Sequence, residues 1–274
     1  MVKLKSRWSV RLPLWIVVCI FCSYIVLALS YVIVGSFSKQ WFTTYLPVKY
    51  TLEWYRRVFK MYDVWEGLIN SLIIGLSVVG ISLAVGFMGA YTIVRKRPLG
   101  VTTLRALLMF PIALPVIAYG IPLAALFYRF GIAGGLHAAI LAHLIPCLPY
   151  AVLMLIPFIE QIPEELEIAS LVLGESRLRT FLKVVIPLSK RGLLAAGINV
   201  FLRSYSEFVL SYLVLSPENP TLQMVVFSAI AGPGYRPMGS VNALVVVLMI
   251  PTFALLTLTL MLVRTEGLSM GIGQ

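Results

Sequence analysis

The chain has 274 residues, 60% of them hydrophobic and 12% charged, with a mean hydropathy of +0.95. Soluble domains carry about 25% charged residues, so composition excludes an ordinary soluble fold and points to a membrane protein. The formal charge of +11 does not indicate nucleic-acid binding, because the basic residues sit between apolar runs and not on one face of a soluble domain.

Six apolar segments follow one another, at about 12–37, 67–94, 104–128, 137–159, 193–215 and 239–263. Each is long enough to cross a bilayer core. Each must be helical there, because lipid offers backbone groups no partner. Lys3, Lys5, Arg7 and Arg11 precede the first run as in a signal peptide. That run is too long for an h-region and continues past Ala28-Leu29-Ser30, which predicts an uncleaved span. Cys19, Cys22 and Cys147 fall inside apolar runs. The Cys19/Cys22 CxxC lacks a second ligand pair, so these cysteines read as small hydrophobes and no metal site is expected.

Between the first two spans, residues 51–59 predict an amphipathic helix at the outer membrane interface, with Trp41, Trp54, Tyr55 and Trp65 as interfacial anchors. Pro111, Pro115 and Pro122 in the third span and Pro146, Pro149 and Pro157 in the fourth predict kinks. Such kinks serve helix packing or shape a path through the bundle. The chain reads as one membrane domain over residues 1–274 with no GxxxxGK[ST] phosphate loop.

Charge sets the expected orientation. With the N-terminus in the cytoplasm, the inner segments hold 14 of the 22 Lys and Arg residues, the outer ones hold 7, and Arg203 lies within the fifth span. Both termini and the loop at 160–192 are therefore expected on the cytoplasmic side.

That loop carries the most specific pattern in the chain. Pro163-Glu164-Glu165 starts a helix with proline and acids in its first turn. Leu166, Ile168, Ala169, Leu171, Val172 and Leu173 follow, and Gly174 can end the helix in a left-handed cap. A second helix through Arg177, Leu178, Phe181, Leu182 and Val185 is expected to stop at Pro187. The small Ala169 and Ser170 would let a partner surface approach closely.

This stretch resembles the EAA loop of permease subunits of binding-protein-dependent type I ABC importers, where Glu-Ala-Ala is followed by Gly, nine residues and Ile-x-Leu-Pro. From Gly174, nine residues lead to Val184-Val185-Ile186-Pro187. Ile168-Ala169-Ser170 occupies the Glu-Ala-Ala positions, and Glu167 lies one place early, about 100° round a helix. Asn70-Ser71-Leu72, Gly86, Ala90-Tyr91 and Arg95 resemble the second span of the same permeases.

The resemblance implies an all-α membrane fold of about six spans and an inner-membrane location in a bacterium or archaeon. It implies two permease subunits, this chain and a homologous partner, around a path, with two copies of an ATPase beneath. An external binding protein would deliver solute. ATP and Mg²⁺ would belong to the ATPase, leaving this chain without a cofactor or catalytic residue. Glu167, Ile168, Ala169, Ser170, Gly174 and Pro187 would form the coupling element that meets the ATPase.

In the fifth span, Arg203-Ser204-Tyr205-Ser206-Glu207 places charge where it is costly unless paired or facing a cavity. Arg203 and Glu207 are four apart and could pair on one helix face. Asn199, Arg203, Ser206 and Glu207 are candidates for the wall of the path. The stretch from Phe201 to Leu210 and Ser240-Val241-Asn242-Ala243-Leu244 resemble polyamine permeases. The resemblance therefore leans to a polyamine-like cation, with a sugar close behind and phosphonate or ferric iron further off. A membrane enzyme using His137, His143 and Glu207, or a structural scaffold, are the readings from other classes. The two histidines lie about 120° off a common helix face, which disfavours a shared metal.

Overall fold

The computed structural model describes residues 7–41, 44, 46–233 and 237–270, with side chains left out for 7–12, 40 and 258–270. Lys3, Lys5 and Arg236, counted in the charge asymmetry, lie outside the described residues. The chain forms two compact units, one of residues 1–64 and 226–250, the other of 65–225 and 251–274.

In the first unit, α1 (Arg7–Phe37) is an apolar helix of 31 residues, about 46 Å long. It leads into a short antiparallel pair, β1 (Ser38–Gln40) and β2 (Lys49–Tyr50). The amphipathic helix α2 (Glu53–Met61) follows at the expected place. Its aromatics are held by protein: Trp54 Nε1 donates to Ser38 O at 2.6 Å, and the Tyr55 hydroxyl lies 2.8 Å from Ser36 Oγ. Trp54 also packs over Gly239, where a Cβ would lie 2.4 Å from its Nε1. Trp41 likewise donates to Thr44 O at 2.8 Å, so three of the four expected interfacial anchors bond within the protein, whereas Trp65 is 63% exposed.

The second unit is built on α3 (Val64–Lys96) and α6 (Leu136–Glu160). α6 continues through Pro146, Pro149 and Pro157 as one helix. It is the most buried of the long helices, with 56% of an 18-residue apolar stretch buried against 33% in α3 and none in α1, so it forms the post of the unit. Small residues let α3 approach it: a Cβ on Gly86 would stand 3.1 Å from the Ala151 Cβ, and Ala90 is fully buried. Ile74, Val78, Ala142, Ala151, Val200 and Leu210 form one core cluster, and Phe87, Leu155, Ile159, Val185 and Ala196 belong to a second.

The third and fifth predicted spans are not continuous helices. α4 (Val101–Ala113) and α5 (Val116–Arg129) meet at an 86° bend, with Pro115 before α5. Proline at 115 disfavours helical backbone at Leu114, whose ψ is 142°. Neither half, at about 20 Å, spans a bilayer core of about 30 Å by itself.

After α7 (Glu164–Val172) come α8 (Arg177–Thr180), a π turn over Phe181–Val185 and α9 (Ile186–Leu188). Helical structure therefore passes Pro187, which begins a new turn where its missing N–H is not needed. It turns by 72° at Ser189 into α10 (Lys190–Tyr205). The predicted fifth span then breaks at residues 206–208 before α11 (Val209–Val214). A ten-residue apolar helix, α12 (Leu222–Ala231), precedes the last long helix, α13 (Met238–Met270).

Candidate functional site

Two regions hold the residues singled out from the sequence. The first is the α7–Gly174–α8 unit. Gly174 has φ +90°, its N–H donates to Leu171 O, and the Glu175 N–H donates to Ser170 O. These two bonds make a Schellman cap, and the positive φ is what glycine is needed for there. Ser170 Oγ and Thr180 Oγ1, 3.0 Å apart, join the two short helices. Past the turn, Glu175 lies 2.7 Å from Lys183 Nζ and 3.6 Å from Arg179 Nη1. The Lys183 hydrogen bond, and then the nearby charges, hold its carboxyl below the usual carboxylate range.

The faces of α7 are arranged opposite to those of an ordinary docked helix. Glu167 is 8% exposed, while Ile168 is 57%, Val172 81% and Leu173 85% exposed. Ala169, Leu171 and Leu178 are exposed as well, as is Pro187 at the far end. The sequence places Glu167 among residues that meet a partner, but its carboxylate turns inward. Oε1 accepts from Arg95 Nε at 2.7 Å and Oε2 accepts from the Tyr91 hydroxyl at 2.6 Å. The physical reason is the 100° offset noted above: with Ile168 facing out, the acid one place earlier faces the end of α3.

The second region is the break after α10. Arg203, Ser206 and Glu207 come together there. An Arg203–Glu207 ion pair, which unbroken helical spacing would allow, does not form among the described residues: the helix ends at Tyr205 and the i, i+4 geometry is lost. Glu207 Oε1 instead accepts from the N–H groups of Val209 and Leu210, at 3.1 and 3.2 Å, and caps the first turn of α11. The Arg203 guanidinium lies 5.7 Å from the centroid of the Tyr150 ring, and its buried Nε has no hydrogen-bond partner. Ser206 Oγ bonds back to Leu202 O at 2.7 Å. Asn199, about two turns earlier, spends its amide on Ala195 O in its own helix.

His143 is a residue whose role the sequence did not reveal. It is buried on α6, with Nδ1 2.9 Å from Ser204 Oγ and Nε2 3.0 Å from Ser211 Oγ. Ser211 spends its own proton on Glu207 O, so Nε2 carries the ring hydrogen and Nδ1 accepts from Ser204; the tautomer is assigned from this network. One imidazole thus bridges α10 and α11 across their break. On the other side, Gln223 Nε2 donates to the freed carbonyl of Tyr205. Gln223 Oε1 accepts from Ser71 Oγ at 3.3 Å, and Asn70 Nδ2 donates to Pro220 O at 3.0 Å. Among the described residues no three His, Cys, Asp or Glu side chains group to hold a metal.

Comparison with known proteins agrees with this architecture. The family model described as "Binding-protein-dependent transport system inner membrane component" matches residues 78–265. The sulfoquinovosyl glycerol transport system permease protein SmoH of Agrobacterium fabrum is 28% identical over 180 residues, which are 66% of this chain and 62% of that protein. The spermidine/putrescine transport system permease protein PotC of Haemophilus influenzae is 25% identical over 246 residues, 89% of this chain and 94% of PotC. A crystal structure of a bacterial ABC transporter involved in the import of the acidic polysaccharide alginate contains a chain of the same fold. Its TM-score is 0.76 at 20% identity, covering 94% of this chain and 98% of that one.

Proposed function

The chain belongs to the family of inner-membrane components of binding-protein-dependent transport systems, and from that premise we propose that it forms one half of a solute path and couples it to a separate ATPase through the α7–Gly174–α8 unit. It is an ABC importer permease subunit and not an enzyme; ATP hydrolysis belongs to another chain. The observation that carries the coupling role is the outward apolar face of α7, with Ile168, Val172 and Leu173 unburied on a loop between long helices. A patch of that kind marks a partner site. The partners in this reading are two ATPase copies carrying ATP and Mg²⁺, a second, homologous permease subunit and an external binding protein. Both termini face the cytoplasm. A cysteine at Leu173 should cross-link to a co-purifying ATPase that carries a phosphate loop, and absence of any such ATPase from the purified complex would sink the proposal.

For the solute, the break after α10 favours a hydroxyl-rich molecule. Glu207 has Oε1 engaged by two backbone amides, while the half-buried Arg203 guanidinium lies over the Tyr150 ring and not against a carboxylate. A polyamine would meet an unneutralised guanidinium there, whereas a sugar hydroxyl could accept from it. The near end-to-end match to PotC supports the polyamine reading instead. Thermal shifts of the cognate binding protein with sugars and polyamines decide: stabilisation by polyamines alone overturns the sugar assignment.

A further inference from the structure

This inference rests on the importer reading and concerns how α7 is attached. Surface helices normally dock by an apolar stripe. Of the nine residues of α7, the buried one is Glu167, so the helix is held by a carboxylate while its apolar side chains face away. Both oxygens of that carboxylate are taken by α3, through Arg95 and Tyr91, which are one turn apart. Arg95 is itself only 11% exposed in its side chain, and its Nη2 donates to Ile162 O at 2.8 Å, just before α7 begins. Phe181, in the π turn after α8, packs edge-on against Tyr91 with ring centroids 5.0 Å apart and lies 5.4 Å from Phe87, also on α3. Both arms of the unit are therefore fastened to a helix 72 residues distant in sequence from Glu167.

We propose that Arg95 and Tyr91 are positioning residues for coupling: they clamp α7 to the end of α3, so that displacement of the unit by the ATPase moves α3 directly. Short charge-assisted bonds between a guanidinium and a shielded carboxylate are directional and strong, which suits a joint that must transmit force without slipping. The sparse apolar contact of α7 means that, without the clamp, the unit can still meet the ATPase but carries α3 with it only through the weaker Phe181 contact. Arg95 also lines a cavity of about 760 Å³ with Arg97, Arg105 and Glu164, which offers water a route toward Glu167 when the guanidinium is removed.

The test uses the whole reconstituted transporter in proteoliposomes, with uptake and ATP hydrolysis measured together. Arg95→Gln should keep hydrolysis within about twofold while solute moved per ATP falls about tenfold. Tyr91→Phe should give a milder loss in the same direction. The exchange Arg95→Glu with Glu167→Arg should recover most of the ratio, which a role of Glu167 as a direct ATPase contact would not produce. Normal solute per ATP in both Arg95→Gln and Tyr91→Phe would overturn the clamp. So would parallel loss of hydrolysis and of ATPase binding, because that pattern makes Glu167 an ATPase contact. Should Arg95→Gln fail to accumulate, Tyr91→Phe and the exchange variant decide alone. A wild-type complex with no solute-stimulated hydrolysis would sink the importer reading itself, a different failure from uncoupled variants.

Discussion

His143 Nδ1 accepts from the hydroxyl of Ser204 at 2.9 Å, which fixes the last turn of α10 to the middle of α6 just where α10 ends. With Nε2 donating to Ser211, the imidazole satisfies hydroxyls on both sides of a helix break inside an apolar core. Replacing it with phenylalanine fills the space, strands the Ser204 hydroxyl at about 1–3 kcal/mol, and leaves Ser211 with its bond to Glu207 O alone. His143→Phe should therefore lower the thermal stability of the purified subunit by about 2 kcal/mol or more. Adding Ser204→Ala, and Ser211→Ala with the further loss of its bond to Glu207 O, should return part of that, because removing both partners of the Ser204 bond is nearly neutral. No recovery in the triple variant would show that the ring's shape, and not its hydrogen bonds, matters.

The long helices were legible because length and hydropathy alone decide them, and the Gly174 turn because a positive φ has few residue solutions. What was not legible depended on contacts across the bundle. An unbroken reading of 193–215 places Arg203 beside Glu207, whereas the helix stops at Tyr205 and that carboxylate accepts from the Val209 and Leu210 amides. His143 gave no local signal; its partners lie 61 and 68 residues away. α12 is too short to register as a span, although Pro220-Thr221 before an apolar run is a start signal, and Thr221 O does accept from the Val225 N–H. The resemblance gives an acid near Glu167 a role at the ATPase, whereas within this chain its carboxylate bonds to Tyr91 and Arg95, which the sequence marks only as part of the second span.

The proposed orientation rests on the excess of Lys and Arg, 14 against 7, on the segments taken as inner. A cysteine placed at Ser176, which lies exposed beyond the Gly174 cap, should be protected from an impermeant maleimide in intact cells and labelled in inverted vesicles. Cys19 and Cys22 on α1 and the buried Cys147 are replaced by alanine beforehand. Labelling in intact cells would reverse the topology.

Gly174 has open space around it, with nothing within 4 Å of where a Cβ would sit. Any effect of substitution there comes from φ +90° and not from a clash. Gly174→Val should cost about 1–2 kcal/mol or more of local strain and shift the exposed Val172 and Leu173, lowering uptake while the protein still inserts. Gly174→Asn, which tolerates a left-handed backbone, should retain most uptake. Equal uptake by the wild type and the valine variant at equal expression would remove the need for the cap.

Arg203 and Glu207 provide the sharpest test of the break. A buried ion pair, when one partner is removed, costs about 3–5 kcal/mol because the other charge is left uncompensated. Here Glu207 is bonded to backbone amides and Arg203 faces Tyr150, so the two substitutions act on separate contacts. Glu207→Gln keeps an oxygen for Val209 and Leu210 and should destabilise by about 1 kcal/mol, the difference between charged and neutral acceptors. Glu207→Leu leaves both amides unpaired and should cost more. In a double-mutant cycle with Arg203→Gln, measured by thermal denaturation of the purified complex, the interaction energy should stay below about 1 kcal/mol. A value of 3 or more would mean that the two charges pair after all. With stability so accounted for, transport reports the path: Arg203→Gln should weaken uptake of a hydroxyl-rich solute by about tenfold, the loss expected for one charge-assisted contact of 1.5 kcal/mol or slightly less. Unchanged uptake in Arg203→Gln would place this guanidinium outside the path.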